Sequence, residues 1–179
     1  MSSRCAGSAP GSRRHVLLAV ISDTHLPRGD RGLPAACVER LRGADLILHA
    51  GDFVTAAVLG DLRALGPPVE AVHGNVDDEQ VRRLLPSARL VDAGGARIAM
   101  THDAGPAGGR LERLRRRFAD ADAVVFGHSH IPLHERDAHS GFQIFNPGSP
   151  TDRRRQPVHT MGLARVGEDG ELAFELIEL

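Results

Sequence analysis

The chain of 179 residues has no tryptophan and no tyrosine, and its aromatic content is six phenylalanines. Proteins that hold single-stranded nucleic acid stack its bases on aromatic faces, so this composition argues against a nucleic-acid binding module. Net charge is also nearly absent. Twenty-two Lys and Arg stand against 23 Asp and Glu, leaving -1, with no overall field to draw in a polyanion or an anionic membrane surface. Cysteine is scarce: Cys5 and Cys37 cannot make a disulfide framework, which fits a reducing, cytoplasmic setting. Long apolar runs are missing too. Val16 to Ile21 falls short of a secretory core of about 7–15 residues or a membrane span of about 20, so it reads as a buried strand with no membrane role.

What is present fits one globular domain over residues 15–179, preceded by a leader, residues 1–14. The leader has so little to bury that disorder is expected. A domain of this size buries a core without staples, so a metal here would be catalytic rather than structural. Apolar runs of strand length recur at His15–Ser22, Leu46–His49, Val69–Val72 and Ala123–Phe126, and these four read as central parallel strands. Helical patterns lie between them at Pro34–Arg42, Val54–Leu65 and Ala107–Phe118. Three hairpins are expected in the second half: Ala88–His102 around Gly94-Gly95, Ile131–Glu135 with Phe142–Phe145, and Val158–Val166 with Leu172–Ile177. The fold class is α/β, with two packed β-sheets flanked by helices.

The chemistry-bearing residues collect at the ends of these strands: Asp23-Thr24-His25, Gly51-Asp52, Gly74-Asn75-Val76-Asp77, Thr101-His102 and Gly127-His128-Ser129-His130. Ligands of α/β sheets bind outside the carboxyl ends of the strands, so the five groups are expected to converge. Seven oxygen and imidazole donors exceed what one tetrahedral zinc takes, and they suit two divalent ions sharing a carboxylate. Gly51, Gly74 and Gly127 each precede a candidate ligand, where a missing side chain permits close backbone approach or an unusual φ.

These motifs, "DTH", "GD", "GNVD", "TH" and "GHSH", resemble in order and spacing those of the calcineurin-like metallophosphoesterases. "NPGS" at 146–149 resembles the small bacterial and archaeal phosphodiesterase branch, to which the scaffold subunit of the retromer complex is related. The resemblance implies one metal held by Asp23, His25 and His130 and a second by Asn75, His102 and His128, with Asp52 bridging and with Asp52 and Asn75 also catalytic. It implies two divalent ions, manganese first, with iron, nickel, cobalt or zinc open. The activity implied is hydrolysis of a small phosphodiester by metal-activated hydroxide; the alternative is a catalytically silent scaffold of the same fold. Many relatives carry histidine where this chain has Val76, which cannot protonate a leaving group. Asp103 either caps the next turn, the favoured reading, or bonds a ligand. His49 and His73 read as hydrogen-bonded packing residues, with a role as ligand partner or substitute acid left open. The run Arg113–Arg117 reads as a solvated helix face. Among Arg153, Arg154 and Arg155, one guanidinium is a candidate to hold a substrate phosphate.

Overall fold

The computed structural model describes residues 15–29 and 31–179; the expected leader lies outside the described residues. Two five-stranded sheets pack face to face. In the first the strand order is β10-β9-β1-β2-β3, built from β1 Val16–Ile21, β2 Leu46–His49, β3 Val69–Ala71, β9 Thr160–Val166 and β10 Leu172–Glu178. The second runs β4-β5-β6-β8-β7, from β4 Ala88–Ala93, β5 Ala96–Thr101, β6 Ala123–Val125, β7 Leu133–Arg136 and β8 Gln143–Asn146.

Helices α1 Ala35–Arg42, α2 Ala56–Arg63 and α3 Glu79–Leu84 cover the outer face of the first sheet, and α4 Arg110–Arg117 covers the second. The alternation of side chains along each strand divides the core. Leu18, Val20 and Leu48 meet Ile98, Met100, Val125 and Phe145 between the sheets, while Ala19, Ile21 and Ile47 face Cys37, Leu41, Leu59 and Leu62 of the helices. Strands covered on both faces have no position left for a polar residue, so β1 is an unbroken apolar run.

β1, β2 and β3 are mutually parallel, with Ile21 beside His49 and His49 beside Ala71. β5, β6 and β8 are parallel in the second sheet. Their carboxyl ends therefore come to one edge of the sandwich. β9 returns antiparallel to β1, pairing Val16 with Val166, so the tail hairpin belongs to the first sheet. All four strands expected to be central and parallel do pair in parallel, but Val69–Ala71 is an edge strand, and Ala123–Val125 lies in the middle of the second sheet, because its flanking partners Ile98–Met100 and Gln143–Phe145 are also apolar and closer along the chain.

A fourth helix, Glu79–Leu84, was not expected. Asp78 caps it by accepting the Val81 N–H at 2.8 Å, a pairing of cap with third helical residue that offsets its shortness. Arg113 also departs from the expected solvated face. Its guanidinium donates to the carbonyls of Ala104, Pro106 and Gly108 at 2.9, 2.6 and 3.1 Å, tying down the loop after His102. No described helix is long and apolar enough to cross a membrane.

Candidate metal centre

The loops leaving β1, β2 and β3 bring Asp23, His25, Asp52 and Asn75 to the shared edge, and those leaving β5 and β6 bring His102, His128 and His130. The turns are sharp: Asp23, His25, Asp52, His128 and His130 all adopt φ between 46° and 70°. Left-handed backbone at non-glycine residues costs energy and persists where surrounding bonds hold it, a condition common at functional sites. As expected, Gly51 takes an unusual φ, 95°, and the candidate ligands take one as well. Gly74 and Gly127 serve close approach instead. A Cβ on Gly74 would stand 2.0 Å from Asp52 Oδ1, and one on Gly127 would stand 1.9 Å from Ser22 Oγ and 2.6 Å from Asp23 Oδ2.

Two groups of donor atoms lie within 4.8 Å of one another: Asp23, His25 and His130, and Asp23, Asp52 and His102. His25 Nε2 and His130 Nε2 are 3.1 Å apart. Asp52 Oδ2 lies between the groups, 3.5 Å from His25 Nε2 and 3.3 Å from His102 Nε2. Asn75 Oδ1 is 3.1 Å from His102 Nε2 and 2.8 Å from His128 Nδ1. All seven residues are therefore brought together.

The tautomers make this cluster unusual. His102 Nδ1 donates to the Ala50 carbonyl at 2.8 Å and His130 Nδ1 donates to the Asp152 carbonyl, so in their neutral forms both present a bare Nε2 lone pair inward. The His102 lone pair meets the Asn75 and Asp52 oxygens, which only accept, and the His130 lone pair meets an Asp23 oxygen at 3.4 Å beside His25 Nε2. Such a cluster requires a cation or a proton at its centre. Its titration reflects that: burial lifts the Asp23 carboxyl to about 7 against the opposing charge of His102. Burial also opposes charge on His102, yet its hydrogen bond to Asp52 and the charge of Asp23 raise its pKa. Burial likewise opposes charge on Asp52, but the bonds from His102 and the Val76 N–H hold it at about 2. Burial pulls His25 and His130 down; the Arg154 guanidinium adds to this, against Asp152 and, for His25, Asp52.

Around these residues runs a second set of bonds. His49 is buried and stacked on Phe53, with ring centroids 3.5 Å apart, and burial pushes it down to about 3. Its Nδ1 accepts the Gly51 N–H at 3.1 Å, so the Nε2 proton points to Thr24 Oγ1 at 3.2 Å. It packs, as expected, and also braces two of the loops. His73 approaches its own neighbour, the Gly74 carbonyl, at 3.2 Å. Asp103 accepts the Gly105 N–H at 2.7 Å, the turn cap. In the NPGS turn, Asn146 donates to the Gly127 carbonyl at 2.9 Å and Ser149 to the Asp23 carbonyl at 2.7 Å.

Sequence reasoning gave Asp77 no role, although it stands in the quoted "GNVD". Its carboxylate is buried and accepts three backbone N–H groups, from Asp52 at 3.1 Å, Val54 at 2.7 Å and Gly74 at 2.6 Å. It thereby locks the Asp52 loop to the Asn75 loop. An acidic residue closing a Gly-Asn turn was the available signal. Of the three consecutive arginines all are exposed, and Arg153 and Arg154 line a cavity beside the centre.

Comparison with known proteins gives a consistent picture. The family model described as the calcineurin-like phosphoesterase superfamily domain matches residues 16–169. A probable metallophosphoesterase of Methanothermobacter thermautotrophicus is 35% identical over 156 residues, covering 86% of this chain and 88% of its own. Among solved structures, vacuolar protein sorting 29 of Cryptosporidium parvum superposes with TM-score 0.73 at 22% identity, over 92% of this chain and 98% of its own. An archaeal phosphodiesterase superposes with TM-score 0.66 at 18% identity, over 90% of this chain and 100% of its own. These two structures share the fold.

Proposed function

Because the chain belongs to the calcineurin-like phosphoesterase superfamily, we propose that it is a metal-dependent phosphodiesterase acting on a small phosphodiester, with residues 15–179 working as one domain. The observation that carries the reading is the inward convergence of atoms that only accept, with bare imidazole nitrogens among them. A set of carboxylate, amide and imidazole donors fits borderline divalent ions.

In this reading Asp23, His25 and His130 hold one ion and Asn75, His102 and His128 a second, with Asp52 shared. Divalent ions bound there would supply Lewis acidity, acidifying a water toward neutral pH and offsetting phosphoryl charge. Manganese is the first choice, with iron, nickel, cobalt and zinc tolerated by the same donors. Everything else falls to the chain. The His102 bond to Ala50 and the His130 bond to Asp152 fix which nitrogen of each ring faces inward. The Val76 N–H, donating to Asp52 Oδ1 at 3.0 Å, fixes that carboxylate's rotation. Val76 has no proton to give the leaving group, so esters of acidic alcohols react fastest. The fold shared with an archaeal phosphodiesterase supports the diester preference, and buried, free Cys37 supports a reducing, cytoplasmic setting.

The test is metal content of the purified protein, together with hydrolysis of bis(p-nitrophenyl) phosphate and p-nitrophenyl phosphate with and without Mn²⁺. Nearly two ions per chain and Mn²⁺-dependent turnover favouring the diester are expected, and Asp52→Asn is expected to abolish turnover and lower metal content. Protein that stays inactive after loading with each of the five metals would replace this reading with a scaffold of the same fold.

A further inference from the structure

Beside the candidate centre lies a cavity of about 410 Å³ whose wall includes Arg31, Thr151, Asp152, Arg153, Arg154 and His159. A cavity of that size suits part of a small ligand. Among the described lining residues its charge is one-sided. Three guanidiniums face one carboxylate, and that carboxylate, Asp152, is already paired with Arg28 at 3.2 Å. Arg153 spends one arm on the Gln156 carbonyl. Among the described residues, the guanidiniums of Arg31 and Arg154 have no hydrogen-bond or ion-pair partner, and Arg154 is held at φ 49°.

The wall is shared with the centre. The Asp152 carbonyl takes the His130 Nδ1 proton, and the Thr151 hydroxyl donates to the Thr24 carbonyl between Asp23 and His25. Two residues of the cavity wall are therefore bonded directly to the ligand loops. Planar guanidinium forks match the oxygens of a phosphate. A reacting diester carries a single charge and is already provided for at the centre, which leaves these arginines without an anion.

Resting on the phosphodiesterase reading, we propose that this cavity receives a second phosphate group, carried by the substrate itself beside the phosphorus that reacts. Preferred substrates are then diesters bearing an additional phosphomonoester.

The experiment compares thymidine 5′-(p-nitrophenyl phosphate) with the same compound carrying a 3′-phosphate. Dissociation constants are measured by calorimetry, on protein as purified and after metal stripping, for the natural chain and for Arg31→Ala and Arg154→Ala. The 3′-phosphate is expected to tighten binding about tenfold, and each variant to bring the ratio of the two constants close to one. Arg31 is exposed, so its removal leaves the core intact. Equal binding of the two diesters by the natural chain overturns the proposal, as does a ratio that survives in both variants. Inorganic phosphate binding that depends on Arg31, with no preference between the diesters, overturns it in favour of a site for free phosphate. Turnover of the plain diester under Mn²⁺ is recorded separately. Its absence with Mn²⁺ and with each of the other four metals refutes the phosphodiesterase reading, whereas a binding ratio of one with turnover intact refutes the cavity's role alone.

Discussion

Replacing Asp77 by alanine removes the carboxylate that three backbone N–H groups share, those of Asp52, Val54 and Gly74. Asp77 is 4% exposed, so water does not readily take its place. Hydrogen bonds to a charged acceptor contribute about 1.5–3 kcal/mol each, and at the lower end the three lost bonds cost about 4.5 kcal/mol. One term runs the other way. Val54, a β-branched residue, is held at φ 91°, and letting it relax returns about 1 kcal/mol. The net loss is then about 3.5 kcal/mol, a large share of the stability of an ordinary domain. The assay is urea denaturation of metal-free protein, with metal stoichiometry measured by equilibrium dialysis on the folded fraction. Stability should fall by about that amount at an unchanged denaturant slope, and metal occupancy should fall too, because Asp52 and Asn75 lose the bond that joins their loops. Asp77→Asn keeps one acceptor and should lie between the two proteins. An alanine variant within about 0.5 kcal/mol of the natural chain, with full metal occupancy, would refute the reasoning.

Three further outcomes are expected. Gly127→Ala puts a Cβ 1.9 Å from buried Ser22 Oγ and 2.6 Å from Asp23 Oδ2, so it should lower metal affinity by at least about tenfold while leaving far-ultraviolet circular dichroism unchanged; unaltered affinity in dialysis would count against the close-packed loop. Stripping divalent ions with a chelator should lower the thermal midpoint by several degrees, reversibly on adding Mn²⁺, since a ligand that binds only the folded state stabilises it; a midpoint indifferent to chelator would mean that no ion is held there. Burial pushes the Cys37 thiol up to about 12, slightly offset by Arg40, so its peptide should resist alkylation at pH 8 until urea unfolds the chain. Rapid labelling of Cys37 in native protein, followed by mass spectrometry, would show the α1 face to be open.

Much of the sandwich was legible because burial on both faces leaves a plain signature. Leu46–His49 is both the apolar run in the sequence and the strand in the structure. The hairpins announced themselves by glycine turns, as at Gly94-Gly95 between β4 and β5, both left-handed. Which sheet a strand joins was less visible, because Ala123–Val125 has the same apolar character as β1 and only its partners decide. Helix α3 escaped because six residues carry too little periodicity; the cap from Asp78 and the burial of Val81 hold it. At the centre, the seven donors could be listed from residue type and position after a strand. Asp77 could not be separated from a turn residue in this way, because its part lies in three bonds to backbone that the sequence does not spell out. Arg113 is similar: on a helix of arginines, only the path of the loop at 104–108 distinguishes it from its solvated neighbours.

Asp23 and His128 are separated by 105 positions in the chain, yet the His128 N–H reaches both carboxylate oxygens of Asp23, at 3.1 and 3.0 Å. The strand that carries Asp23 is itself flanked by β9, which the ribosome finishes making last among its neighbours. No short segment of the chain contains even a crude version of the donor cluster. It follows that an ion cannot nucleate this fold as zinc nucleates a finger of about thirty residues, and that loading is a late event, after slow closure of distant segments. Refolding followed by fluorescence of a hydrophobic dye should therefore proceed at the same rate with and without Mn²⁺, with the ion acting instead on the rate of unfolding.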